Sequence, residues 1–212
     1  IRKSGLNIFY TTLDEGTQSM NNTIVATLWA ASAESRLRQL GLAFAGTIII
    51  ALSSKFQIPF YPVPMTMQTF AVISLGLVFG WRLGLATVLL YLAEGAVGLP
   101  VFAGTPEKGI GLAYMLSGTG GYLLGYALAA ALAGYLAERG WTRSIAMTMA
   151  AAFLASAAIY APGLLWLGSL YGWDKPILEW GLYPFVYGDM MKIALAGVTF
   201  PVVWKLVDKL KG

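Results

Sequence analysis

Asp189 and Lys192 stand three residues apart in the run Tyr187-Gly188-Asp189-Met190-Met191-Lys192-Ile193-Ala194-Leu195-Ala196, which is otherwise apolar or uncharged. At helical spacing the two side chains share a face and can neutralise each other. A carboxylate accepts hydrogen bonds and an ammonium donates three, so the pair can hold a polar ligand through matched groups. It can also staple two helices together. Each charge at bilayer depth costs about 2.5–3.5 kcal/mol even on lenient scales, and ionisable residues there mark functional sites. The binding reading is therefore the more informative one.

The surrounding elements are those of a membrane protein. The chain has 212 residues, of which 58% are hydrophobic and 11% charged. Its mean hydropathy is +0.68, far above that of a soluble domain. Cysteine and histidine are both absent, which removes disulfides, thiolate nucleophiles and the usual zinc, haem and iron–sulfur ligands. No cofactor is implied. The formal charge of +4 comes from basic residues clustered where apolar runs end, which is a topological signal, so nucleic acid is not an expected partner.

Uncharged runs long enough to cross a bilayer predict six spans, at about 37–57, 65–81, 83–98, 119–137, 144–170 and 183–205. With the amino terminus inside, Arg36, Arg38, Arg82, Arg139, Arg143, Lys205, Lys209 and Lys211 fall on the cytoplasmic side. Only Lys55, Lys108 and Lys175 fall outside, an asymmetry that follows the positive-inside rule. Both termini are then cytoplasmic and the fold class is all-α integral membrane, with outer lid-like loops, in the inner (cytoplasmic) membrane. Residues 1–35 read as an N-terminal cytoplasmic extension or an added leader, with Met20 an alternative start, and residues 36–212 as the membrane domain. Within the extension, 24–35 reads as a short helix lying on the inner surface.

Two outer loops have unusual composition. Gln57 to Phe70 is apolar and carries Pro59, Pro62 and Pro64, which prevent a continuous helix. Gly98 to Pro106 is followed by glycines at 109, 111, 118, 120 and 121. Irregular backbone near membrane depth survives where protein or a water-filled cavity covers it, so both loops are expected to wall a pocket. Gly121, Gly125, Ala129, Ala133 and Ala137 recur at four-residue steps, a stripe for close helix packing. Gly41 and Ala45 make a shorter stripe, facing either the bundle interior or a membrane partner.

Four ordered blocks carry a family resemblance: Pro62-Val63-Pro64-Met65-Thr66-Met67-Gln68-Thr69-Phe70, Gly98-Leu99-Pro100-Val101-Phe102-Ala103-Gly104, Gly120-Gly121-Tyr122-Leu123-Leu124-Gly125-Tyr126, and Gly188-Asp189 with Lys192. With these the chain resembles the BioY family, the biotin-specific S components of energy-coupling factor (ECF) transporters. The resemblance implies a six-helix substrate-binding membrane subunit, biotin as ligand, and uptake powered by a transmembrane coupling protein and two cytoplasmic ATPases. Some members are thought to work without those partners. The family's docking motif on the first helix is Ala-x-x-x-Ala, whereas this chain offers Gly41-x-x-x-Ala45. No Gly-x-x-x-x-Gly-Lys-Ser/Thr cradle for ATP phosphates occurs in the chain itself.

Biotin suits the charge pair. With a helix starting near Pro184, Asp189 and Lys192 lie about 8–12 Å along it. A neutral ureido ring costs less to bring to that depth than a second carboxylate. Asp189 would accept a ureido N–H while Lys192 donates to the ureido oxygen, and the tail carboxylate would stay nearer water, by the amides of the glycine-rich loop at Gly104 and by Lys108. The reverse orientation, with Lys192 on the carboxylate, is the alternative. Thr66 and Gln68 are further polar candidates, Phe102, Tyr122 and Tyr126 candidates for the apolar ring, and Glu94 a ligand contact or a snorkelling side chain at a span end. Three rival readings are an S component for another vitamin such as thiamine, an intramembrane enzyme using Asp189 and Lys192, and a retinal-type photoreceptor, which the six spans disfavour.

Overall fold

The computed structural model describes residues 23–28 and 35–211. Helices α1 (Ile24–Leu28), α2 (Arg36–Lys55), α3 (Gln68–Phe79), α4 (Trp81–Ala96), α5 (Gly111–Met115), α6 (Gly120–Glu138), α7 (Ile145–Tyr171), α8 (Ile177–Gly181) and α9 (Tyr183–Lys211) make up most of it. Two short strands, β1 (Gln57–Ile58) and β2 (Met65–Thr66), pair antiparallel with Gln57 opposite Thr66. By length and composition, four segments can cross a membrane: α2, α6, α7 and the run from α8 into α9.

The predicted spans at 65–81 and 83–98 correspond to α3 and α4, whose boundaries differ for identifiable reasons. Met65 and Thr66 are held in the strand pair, so α3 starts only at Gln68. The break between the two helices falls at Gly80, whose φ of +83° favours glycine. A side chain there would also meet the Glu138 carboxylate, which accepts a hydrogen bond from the Trp81 amide at 3.1 Å. With 12 residues, α3 rises about 18 Å, short of the apolar core of a bilayer. If α3 lies within a bilayer, the irregular segment before it lies near membrane depth, where its polar backbone needs protein partners.

Helix α6 is the centre of the bundle, packing on α3, α4 and α7. Its stripe of small residues is buried as the spacing predicts. A Cβ added at Gly125 would stand 2.7 Å from the Ile159 backbone, and one at Gly121 would collide with Trp166 and the Pro162 carbonyl, so α6 and α7 meet backbone to backbone. In contrast, Gly41 and Ala45 are exposed on α2, and nothing lies within 4 Å of a Cβ added at Gly41. Between the two sides that the sequence left open, this stripe faces outward.

The segment read as a surface helix at 24–35 is described only at α1. There Thr23, Ile24 and Val25 are buried, because α1 packs against α3 and α9. Residues 29–34 of that segment and residues 1–22 lie outside the described residues, and Ser35 stands at the N-cap position of α2.

Candidate functional site

A cavity with about 520 Å³ of empty space opens between α3, α6, α7 and α9, walled by the two irregular loops. Its lining is mainly apolar and aromatic, and its polar groups converge from β2, α3, α5, α6, α7 and α9.

Asp189 and Lys192 project from one face of α9, with Nζ 3.0 Å from Oδ1. Asp189 is 7% exposed. Its other oxygen, Oδ2, accepts a hydrogen bond from the Tyr160 hydroxyl on α7. Lys192 reaches across to the first loop, donating to the Thr66 carbonyl at 2.9 Å and to Thr69 Oγ1 at 2.9 Å. The ammonium thus uses all three of its N–H groups on protein, whereas the carboxylate keeps lone pairs free for a further donor. The geometry makes Asp189 the readier acceptor, and requires any acceptor approaching Lys192 to replace a present partner.

Of the predicted site residues, Thr66, Gln68, Tyr122, Tyr126, Asp189 and Lys192 all line the cavity. Thr66 Oγ1 accepts from the Gln68 amide at 3.2 Å, and Gln68 Nε2 donates to the Tyr91 hydroxyl. Tyr122 donates to the Gly181 carbonyl at 2.9 Å, tying α6 to α8 just before the charged helix begins.

Phe102, Gly104 and Glu94 do not line it. Phe102 is fully buried between Tyr114, on which it stacks at 5.0 Å, and Tyr91, which it meets edge-on, in space left by the missing side chain of Gly95. It supports the wall from behind. Gly104 has φ +73° and lies under the Lys108 stem. Lys108 is exposed and likewise off the lining. Glu94 is half-buried and accepts from Thr47 Oγ1 at 3.1 Å, which fastens α2 to α4.

The sequence reasoning missed Tyr160, Tyr114, Thr69, Thr119 and Phe185, all of which line the cavity. Tyr114 donates to the Ala103 carbonyl at 2.8 Å. Burial pushes its phenol above the ordinary range, an effect the hydrogen bond with Thr119 opposes, so it stays a neutral donor. Tyr160 lies two residues before Pro162 inside an apolar helix, a place that by itself marks only a helix irregularity and not a hydroxyl in a cavity. A proline removes one backbone hydrogen bond from a helix and marks a local departure from regular packing.

The profile of the family described as BioY matches residues 21–209. The probable biotin transporter BioY of Pyrococcus horikoshii is 33% identical over 161 residues, covering 76% of this chain and 93% of that protein. The biotin transporter BioY of Thermotoga maritima is 36% identical over 162 residues, with the same coverage of 76% and 93%. Among solved structures, an S component for biotin from an ECF-type ABC transporter superposes with a TM-score of 0.68 at 24% identity, covering 80% of this chain and 92% of that one. That likeness concerns the fold. Matched along nearly all of its length by the profile, and by relatives at about a third identity, the chain belongs to the BioY family, whose members are multi-pass membrane proteins.

Proposed function

We propose that this chain captures biotin from outside the cytoplasmic membrane and delivers it inward as the S component of an ECF-type ABC transporter. The observation that carries this reading is the carboxylate of Asp189, buried in the cavity wall and braced by Tyr160 and Lys192, with acceptor capacity to spare. Membership of a family whose named relatives are biotin transporters supplies the ligand.

In this reading the ureido ring enters first. One ureido N–H donates to Asp189, and the ureido oxygen takes one hydrogen of Lys192 in exchange for the Thr69 hydroxyl, which rotates away at least cost. The thiophane ring lies among Tyr122, Tyr126 and Phe185, and the carboxylated tail runs outward past Tyr114 and Thr119. Helices α2, α3, α4, α6, α7 and α9 are the six spans, with both termini cytoplasmic. Energy comes from two cytoplasmic ATPases through a transmembrane coupling protein, which docks on the exposed Gly41 and Ala45 strip of α2.

Calorimetric titration of biotin, thiamine and riboflavin into detergent-purified protein tests this. The expected result is one-to-one binding of biotin alone, lost in Asp189→Asn and Lys192→Ala variants that remain folded. Absence of heat and of thermal stabilisation from folded wild-type protein overturns the assignment, and binding of thiamine in its place would make the chain a carrier of that vitamin.

A further inference from the structure

One cation holds the loop that contributes Ala103 to the cavity wall. Between α4 and α5, residues 99–105 turn their carbonyl groups in several directions. Tyr91 donates to the Val101 carbonyl at 3.0 Å and Tyr114 to that of Ala103 at 2.8 Å. The carbonyl oxygens of Pro100, Phe102 and Thr105 instead converge on Lys55 Nζ, at 3.1, 3.3 and 3.4 Å. All three ammonium hydrogens are thereby engaged. Among the described residues Lys55 has no carboxylate within ion-pair distance. A carboxylate partner would make it an ordinary surface ion pair with little effect on shape. Three backbone carbonyls from a six-residue stretch fix the path of the chain instead.

Lys55 is also the root of the other irregular segment that lines the cavity. It ends α2, and the next residue, Phe56, accepts a hydrogen bond from the Met67 amide at 3.1 Å. Gln57 and Ile58 then pair with Thr66 and Met65. Val63, Pro64, Met65 and Thr66 line the cavity from that segment, and Ala103 lines it from the loop held by the ammonium. The same residue therefore anchors one wall through the chain and the other through its ammonium group.

We infer that Lys55 is a positioning residue that sets the width of the cavity mouth, and with it the residence time of the ligand, without touching the ligand. The ligand part of this inference rests on the proposed function; the loop part does not.

Two measurements on the full chain in lipid nanodiscs test it. In the first, labelled biotin is chased with unlabelled biotin from wild type, Lys55→Met and Lys55→Arg. Lys55→Met should release ligand about tenfold faster, the factor expected for losing a charge-assisted hydrogen bond net of solvation. Lys55→Arg, whose guanidinium also donates to carbonyls, should restore slow release. Equal release from Lys55→Met and wild type overturns the inference. In the second, hydrogen exchange of ligand-free Lys55→Met should rise over residues 99–105 and stay unchanged over α6 and α7. A uniform rise would make Lys55 a contributor to general stability and would also overturn it. If wild-type protein fails to bind biotin, the proposed function fails, and the exchange measurement still decides the role of Lys55.

Discussion

Tyr160 on α7 donates its phenolic hydrogen to the same Asp189 carboxylate that accepts from Lys192, so each of the two oxygens is engaged by a different helix. Such bracing fixes the plane of the carboxylate and hence the direction of its free lone pairs. Removing the hydroxyl in Tyr160→Phe should weaken biotin binding about tenfold, the scale of one hydrogen bond to a charged group. Calorimetry measures it, and unchanged affinity would assign the orientation to Lys192 alone.

Lys192 and Asp189 are 13% and 9% exposed at their side chains. Breaking a buried pair from one side leaves an uncompensated charge. Lys192→Met should therefore cost about 3–5 kcal/mol of stability. The double variant Asp189→Asn with Lys192→Met should regain most of the thermal stability while failing to bind biotin. Melting curves with and without ligand separate the two effects.

The two glycine stripes should respond in opposite ways to the same substitution. Gly125→Leu drives a side chain into the Ile159 backbone, which cannot yield without parting α6 from α7. It should abolish folding or lower the melting temperature sharply, on the scale of overpacked cores or beyond. A Cβ at the exposed Gly41 meets nothing within 4 Å, so Gly41→Leu should leave stability and biotin binding unchanged, within about 0.5 kcal/mol. On the proposed assembly it should block co-purification with a transmembrane coupling protein. Normal assembly of Gly41→Leu would remove this strip from the docking surface.

Phe102 supports the wall without entering the cavity, so Phe102→Ala should act first on stability, at about 3–5 kcal/mol for a buried ring. Biotin affinity measured below the lowered melting temperature should fall less than in Asp189→Asn. A larger fall would return Phe102 to direct contact with ligand.

What the sequence made legible follows from how strongly each feature departs from its surroundings. Asp189 and Lys192 are charges in an apolar run, and Gly121, Gly125, Ala129, Ala133 and Ala137 repeat at a helical period, so both stood out. Tyr160 did not, because one tyrosine in a chain with 11 tyrosines has no spacing that distinguishes a ligand-facing hydroxyl from an interfacial ring. Phe102 was drawn to the cavity by its place in the loop, whereas the vacancy that seats it is created by Gly95 on a different element. Thr47 and Glu94 meet across 47 positions of sequence, and no local pattern announces such a bond. The start of α3 at Gln68 likewise depended on a strand pairing of two residues on each side, too short to register as alternation.

The uncovered strip at Gly41 and Ala45 also bears on the surrounding solvent, which would be hydrocarbon if α2, long and apolar enough to cross a membrane, does so. Flexible acyl chains fill a smooth groove less completely than a second rigid helix does, and those ordered along it regain freedom when displaced. Association at this strip should thus draw part of its free energy from the lipids it releases. The strength of subunit assembly would then vary with acyl-chain order, tightening in saturated bilayers and loosening in detergent.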